Sequence, residues 1–171
     1  MKTKTNNQLI SLLIALYVFI AFMFTACCGN GDDDFTNTQA PSSVTIQKIT
    51  VTNWPSNDGI STWDICVGLN CIRPDIYPVI KYESTTILDL VNEAIENVST
   101  GENYSFSISN LVITEPKIKH LFRLYDEDGA TEDDLMGQVS VAPFSTVNGR
   151  SNPIIISGDG ITMELQVTYQ D

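Results

Sequence analysis

The chain has 171 residues, 43% of them hydrophobic, with 9 basic and 21 acidic side chains and a formal net charge of −12. This hydrophobic content supports a folded core rather than a disordered chain, and the length suits one domain. The acidic balance argues against nucleic acid as a partner, because binding to phosphate backbones depends on basic side chains. One histidine and four cysteines argue against a histidine-rich or four-cysteine metal site.

The amino-terminal residues have the pattern of a targeting signal. Two lysines precede an apolar run over 9–24, which is short for a membrane span and suits the core of a signal peptide. Phe24-Thr25-Ala26-Cys27 then resembles the lipobox of bacterial lipoproteins, in which the cysteine becomes the lipidated first residue. The resemblance implies a signal peptide at 1–26 and a membrane tether through Cys27. An uncleaved anchor helix is the alternative, and it would also hold the chain at a membrane.

An acidic and polar segment over 27–43 follows as a tether. The run Asp32-Asp33-Asp34 just behind Cys27 resembles the export signal of surface lipoproteins in some Gram-negative bacteria. A solvated acidic linker is compatible with the same run. We therefore expect a lipid-anchored protein of the outer membrane, exposed at the cell surface, with its folded domain at 44–171.

This remaining sequence predicts an antiparallel β-sandwich. Apolar and polar residues alternate in most segments, and clusters of glycine, proline, asparagine and aspartate separate them, as in sandwiches of short strands. The pattern of 44–52 contains one slip in its period of two. Pro78 predicts an edge position or a bulge in its strand, because proline has no N–H for a ladder. The predicted strands are 44–52, 75–82, 104–108, 118–125, 138–141, 154–156 and 161–169.

One segment predicts a short helix instead. Five apolar residues at helical spacing, from Ile87 to Val98, share one face, and Gly101 offers a stop. We expect this helix to cover 87–97.

Two cysteines lie inside the domain. Cys66 and Cys71 are separated by four residues, the length of a tight hairpin loop. Since an exported protein sits in an oxidising compartment, we expect a disulfide between them.

The most informative motif is an acidic loop directly after the strand 118–125. Aspartate and glutamate side chains crowd the span from Asp126 to Asp134, and carboxylates this close repel one another unless a cation sits among them. Their hard oxygen atoms suit calcium; a solvated acidic loop is the alternative. An EF-hand is excluded, because counting from Asp126 its required glycine would fall on Thr131 and its required glutamate on Gly137.

The spacing Asp126-x-Asp128-x-x-Thr131-x-x-Asp134-x-x-Gly137 resembles the third calcium-binding loop of the C2 domain family. Upstream, Pro74-Asp75-Ile76-Tyr77-Pro78-Val79 resembles a rearranged version of the family's first calcium loop. The resemblance covers about 44–171 and implies an eight-stranded Greek-key sandwich. It also implies calcium ligands at five aspartates, with the hydroxyl of Thr131 as an optional addition. These aspartates are Asp64, Asp75, Asp126, Asp128 and Asp134.

The resemblance implies a function in binding. Calcium would bridge the domain to an anionic partner, which in the family is a phospholipid headgroup and at a bacterial surface could be an anionic lipid, an acidic glycan or a protein. The alternative is a structural or adhesin module, or an accessory subunit of a surface complex, in which calcium only braces loops. We expect no enzymatic activity, because no pairing of a nucleophile with a base is recognisable.

Overall fold

A computed structural model of the chain describes residues 39–56, 63, 66–67, 70–71, 73–129, 132–145 and 149–171, with only the backbone of 66–67 and 70–71. The predicted signal peptide, Cys27 and nearly all of the predicted tether lie outside these residues. Within the described residues, no helix is long and apolar enough to cross a membrane. Thr38–Asp171 forms one compact unit, which contains every strand described below.

Ten strands make up the described structure, and the most regular of them alternate between buried and exposed side chains as period-two sequences require. A single turn of 3₁₀ helix, Val91–Glu93, is the one helical element among the described residues. The strands are β1 Ser43–Asn53, β2 Cys66–Val67, β3 Asn70–Cys71, β4 Ile76–Tyr82, β5 Thr85–Asp89, β6 Tyr104–Ile113, β7 His120–Asp126, β8 Asp134–Val141, β9 Ile154–Gly158 and β10 Ile161–Gln170.

Eight of these strands form two antiparallel sheets of four. The first sheet has the order β6-β1-β10-β9 and the second has the order β5-β4-β7-β8, while β2 and β3 pair as a separate small hairpin. One hydrophobic core unites buried side chains of both sheets, among them Ile46, Leu165 and Phe122. Chain connections cross repeatedly between the sheets, as in Greek-key folds. The prediction of an all-β antiparallel sandwich is therefore confirmed.

Strand β1 also confirms the predicted slip in its alternation. Val44 and Ile46 face the core before the slip, and Ile49 and Val51 face it afterwards. The pairing of β1 with both neighbours shifts between Ile46 and Lys48, which is a β-bulge. One extra residue at a bulge restores the apolar residues to the inner face.

The predicted helix over 87–97 is wrong. Thr85–Asp89 is instead the edge strand β5, which pairs with β4 from Tyr82↔Thr85 to Val79↔Asp89. The helical spacing of apolar residues had a different cause. Val98 is buried in the hydrophobic core together with Leu90, and Ile95 pairs with Ile76 in an isolated bridge. Backbone pairing with an existing strand outweighed a short stripe that could not sustain a helix alone.

Pro78 does not place its strand at an edge, since β4 lies between β5 and β7. The N–H of Ile76 points to the β5 side, where it donates to the carbonyl of Ile95 over 3.1 Å. Because strands repeat every two residues, the nitrogen of Pro78 faces the same side. Pairing with β5 starts one residue later, at Val79. The proline therefore occupies a position just beyond the end of β5, where no ladder hydrogen bond is lost.

The cysteine hairpin is described only through its backbone. Cys66 and Cys71 are direct partners in the ladder of β2 and β3. Their side chains lie outside the described residues, so the disulfide remains a prediction.

Candidate functional site

Two acidic segments that are far apart in the sequence meet at one end of the second sheet. In the ladder, Asp126 at the end of β7 stands opposite Ile76 of β4 on one side and opposite Asp134 of β8 on the other. Asp75 directly precedes Ile76. The antiparallel register therefore gathers Asp75, Asp126 and Asp134 on neighbouring strand ends, because the start of β4 and the end of β7 must coincide.

Asp126 is the structural centre of this end. Its side chain is fully buried on the core-facing side of β7, in line with Phe122 and Leu124. Its Oδ1 atom accepts a hydrogen bond from the backbone N–H of Asp75 over 2.7 Å. The N–H of Glu127 in turn donates to the carbonyl of Asp75 over 2.8 Å. A buried carboxylate with a backbone donor fixes the position of the following loop relative to β4.

The carboxylate of Asp75 is held as well. Its Oδ1 atom accepts the backbone N–H of Asn97 over 2.6 Å, and Asn97 has a left-handed backbone with φ of 56°. The N–H of Val98 donates to the carbonyl of Pro74 over 2.9 Å. Two consecutive N–H groups of the segment between β5 and β6 therefore attach this segment to the acidic end.

The carboxylate of Asp133 holds the loop between β7 and β8 in place through hydrogen bonds. The sequence pattern did not identify Asp133 as a site residue. Its Oδ1 atom accepts the N–H of Asp128 over 3.3 Å, and its Oδ2 atom accepts the phenolic O–H of Tyr77 over 2.5 Å. Nothing in the local sequence distinguishes Asp133 from the neighbouring acids, because its role depends on a tyrosine fifty-six residues away.

The surroundings of Tyr77 keep its phenol protonated. Its ring is stacked on that of Tyr125 with centroids 5.6 Å apart, and only 5% of the residue is exposed. Burial is the main cause that raises the pKa of Tyr77 well above its ordinary value, and the hydrogen bond and charge of Asp133 raise it further. The phenol therefore stays protonated, and keeps donating, over the whole physiological pH range.

The donors at this end suit calcium chemically, but the described residues alone do not enclose an ion. Calcium takes six to eight oxygen ligands, and among the described side chains no three acidic, histidine or cysteine groups are close enough to hold a metal. The oxygens of Asp75, Asp126 and Asp133 described above already accept protein hydrogen bonds. Of the predicted ligands, Asp64 and Thr131 lie outside the described residues.

The structure places the remaining predicted residues as follows. Asp134 is exposed and Asp128 is half-buried at the same loop. Gly137, the last residue of the predicted motif, has no room for a side chain. A methyl group there would lie 2.5 Å from the carbonyl oxygen of Asp159 in the turn before β10. The glycine thus allows β8 to approach that turn closely.

Comparisons with known proteins give only remote structural similarity. No family model and no curated protein matches the chain. Human GIVD cytosolic phospholipase A2, solved in complex with methyl gamma-linolenyl fluorophosphonate, is 16% identical with a TM-score of 0.38. That alignment covers 75% of this chain but only 17% of the phospholipase, so the chain spans a small part of that protein's length.

Two solved C2 domains are similar over most of their own length. A C2 domain of plant Extended Synaptotagmin 1 is 12% identical with a TM-score of 0.39, over 77% of this chain and 97% of that domain. BON1-C2B is 14% identical with a TM-score of 0.37, over 80% of this chain and 95% of that domain. No conclusion about activity or ligands follows from similarities of this size.

Proposed function

We propose that this chain is a lipid-anchored surface protein whose β-sandwich is a C2-like calcium-binding module that engages an anionic lipid, glycan or protein partner. The observation that supports this most is the position of Asp126, with Asp134 directly opposite and Asp75 attached through its N–H. Like charges directly opposite one another on neighbouring strands are destabilising. A divalent cation among these carboxylates would replace that repulsion with ligation.

In this proposal the cation also supplies the attraction for a partner. The chain carries a net charge of −12 and by itself repels anions at long range. Calcium takes six to eight oxygen ligands, and aspartates that each bind through one oxygen would leave positions at which a phosphate or carboxylate of the partner completes the coordination. The ligands would be Asp64, Asp75, Asp126, Asp128 and Asp134, with Thr131 as an optional hydroxyl donor.

The remaining parts of the proposal concern location. Lipidation of Cys27 would tether the domain to the outer membrane, because several acyl chains together make a stable anchor. The acidic segment behind Cys27 would carry the protein to the cell surface. The proposal assigns no catalytic activity to the chain.

The calcium claim is tested by unfolding the fragment Thr38–Asp171, which is one compact unit, in EDTA and in millimolar calcium. A ligand that binds only the folded state at a hundredfold excess over its Kd stabilises by about 2.7 kcal/mol. We expect a calcium-dependent rise in the urea midpoint that Asp128→Asn removes. Glu132→Gln is the matched control, since Glu132 is an exposed acid of the same loop outside the predicted ligand set. Unchanged unfolding of the unmutated fragment in calcium would rule out the metal claim.

Partner binding is tested separately with vesicles. Co-sedimentation of the fragment with phosphatidylserine-containing vesicles in calcium, and release by EDTA, would support an anionic lipid as the partner. Vesicles of phosphatidylcholine alone are the control. Calcium stabilisation without vesicle binding would leave glycan or protein as the partner class.

A structural or adhesin role is the second candidate, and one observation favours it. Asp75, Asp126 and Asp133 already fasten the loops of the acidic end through hydrogen bonds to backbone N–H groups and to Tyr77. Such carboxylates stabilise loops without an ion. Partner binding that is insensitive to EDTA, together with no calcium effect on unfolding, would support this role over the first.

A further inference from the structure

The outer face of the first sheet contains a polar groove, away from the acidic end. Apolar residues of β1 and β10 face the core, so their alternate residues face outward. A groove of about 260 Å³ lies on this face, close to the loop before β9. It is lined by Lys48, Thr50, Asn152, Pro153, Glu164 and Gln166.

Two opposite charges line this groove without pairing to each other. Lys48 is opposite Gln166, and Thr50 is opposite Glu164, so Lys48 and Glu164 are diagonal neighbours on adjacent strands. Diagonal neighbours are about 7–8 Å apart at Cα, within reach of long side chains. Lys48 and Glu164 nevertheless form no ion pair in the described part of the chain, where the ion pair observed joins Arg150 to Asp171. The ammonium of Lys48 and the carboxylate of Glu164 therefore both remain available to a ligand.

The walls of the groove are held in place by hydrogen bonds. Asn152 accepts the N–H of Val167 through its Oδ1 atom over 3.1 Å, which ties the loop before β9 to β10. The hydroxyl of Thr50 lies 2.9 Å from that of Ser105. These contacts fix an amide and a hydroxyl beside the two charges, so the groove does not have to be ordered when a ligand binds.

An apolar rim adjoins the charges. Ile155 is opposite Glu164 in the β9–β10 ladder. It is 64% exposed, the most exposed large hydrophobic side chain of the described residues. The ring of Pro153 adds a second apolar surface in the groove itself. Burial of this isoleucine by a ligand would be favourable in proportion to the apolar area covered.

We propose that this groove binds a small zwitterion that carries an ammonium group, a carboxylate and an aliphatic side chain, as a free amino acid or a short peptide does. Glu164 accepts the ammonium, Lys48 donates to the carboxylate, and Ile155 contacts the aliphatic part. The two protein charges cancel, which suits a ligand with no net charge. The volume lies below the 300–1,000 Å³ usual for sites of drug-sized molecules, so the ligand is small. This site is on the other sheet from the acidic end and does not depend on calcium.

The test is a titration of the ¹⁵N-labelled fragment Thr38–Asp171 followed by amide chemical shifts. The probes are L-leucine and L-alanyl-L-leucine, which separate a free amino acid from a peptide as the source. The controls are sodium acetate, ethylamine, N-acetyl-leucine amide and maltose. We expect saturable shifts around Lys48, Ile155 and Glu164 with one or both zwitterions. The controls, each lacking at least one of the two charges, should bind at least about tenfold more weakly.

Matched variants locate the site. Glu164→Gln and Lys48→Gln remove one charge each from a solvent-accessible face, and each should weaken binding about tenfold or more. Lys81→Gln, which removes a lysine from β4 in the other sheet, should leave binding unchanged. A thermal melt of each variant checks that the fold is retained. The proposal is overturned if neither zwitterion gives saturable shifts, if maltose or the singly charged controls bind as tightly, or if both groove variants bind like the unmutated fragment.

Discussion

The hydrogen bond between Tyr77 and Asp133 gives the strongest test of how the acidic end is held together. Tyr77→Phe removes one hydroxyl and keeps the ring that stacks on Tyr125. The lost bond joins a phenol to a carboxylate, and a hydrogen bond to a charged group contributes about 1.5–3 kcal/mol. Asp133 is only half-buried, so water replaces part of the loss. We expect the variant to be less stable by about 1–2 kcal/mol at pH 7.

The same substitution has a pH dependence of known sign. Burial and Asp133 raise the pKa of Tyr77 in the folded state above the value of 10.0 taken for the unfolded chain. Above pH 10 the unfolded chain therefore releases a proton that the folded chain keeps, and folding stability falls as pH rises. At pH 11, one unit above the unfolded value, this loss amounts to about 1.4 kcal/mol where the folded chain still keeps the proton. Tyr77→Phe lacks this group, so its stability should not show this part of the decline.

The two effects lead to one measurement. Urea unfolding of Thr38–Asp171 and its Tyr77→Phe variant is followed at pH 7, 9, 10 and 11 in EDTA. The free energy of unfolding of the unmutated fragment should exceed that of the Tyr77→Phe variant by the largest amount at pH 7, and this excess should shrink toward zero near pH 11. The other tyrosines and the lysines titrate in both proteins and cancel in the difference. A gap that stays constant from pH 7 to pH 11 would refute the claim that the protonated phenol is the donor to Asp133.

Two further predictions concern the residues around the site. Gly137→Ala should lower the free energy of unfolding by about 1–3 kcal/mol, because the added methyl group would lie within 2.6 Å of both a backbone oxygen and a buried isoleucine side chain. The control is Ser140→Ala, at an exposed position of the same strand, which should change the melting temperature little. Equal effects of the two substitutions would contradict the steric argument. If Cys66 and Cys71 form a disulfide, its reduction should lower the free energy of unfolding of Thr38–Asp171 by about 2 kcal/mol. A variant with both cysteines changed to serine should not respond to reductant. Free thiols detected by alkylation in the oxidised fragment would show that the disulfide is absent.

Local alternation predicted most of the strands because it reflects burial on one face. The slip in β1 was visible from its apolar residues alone, and it corresponds to the bulge between Ile46 and Lys48. The segment 87–97 was misassigned because helical spacing can arise without a helix. There, Ile87 and Leu88 belong to a strand, whereas Val98 is buried in the core as part of the connection that follows. Local periodicity does not record which backbone a segment pairs with.

The composition of the acidic end could also be read from the sequence, whereas its organisation could not. The resemblance to the calcium loops of the C2 family selected Asp64, Asp75, Asp126, Asp128 and Asp134 as a group. It did not indicate that Asp126 is fully buried or that Asp75 holds the N–H of Asn97. These contacts join parts of the chain separated by 51 residues for Asp126 with Asp75 and 22 for Asp75 with Asn97.

The alternation of side chains within each segment was enough to predict a β-sandwich, and the order of residues after one strand was enough to predict its dense acidic loop. The pairing of the acids, their burial and the hydrogen bond from Tyr77 to Asp133 became visible only in the folded chain. Burial and hydrogen bonding at a strand end depend on the register between strands, and register is set by the packing of the whole core.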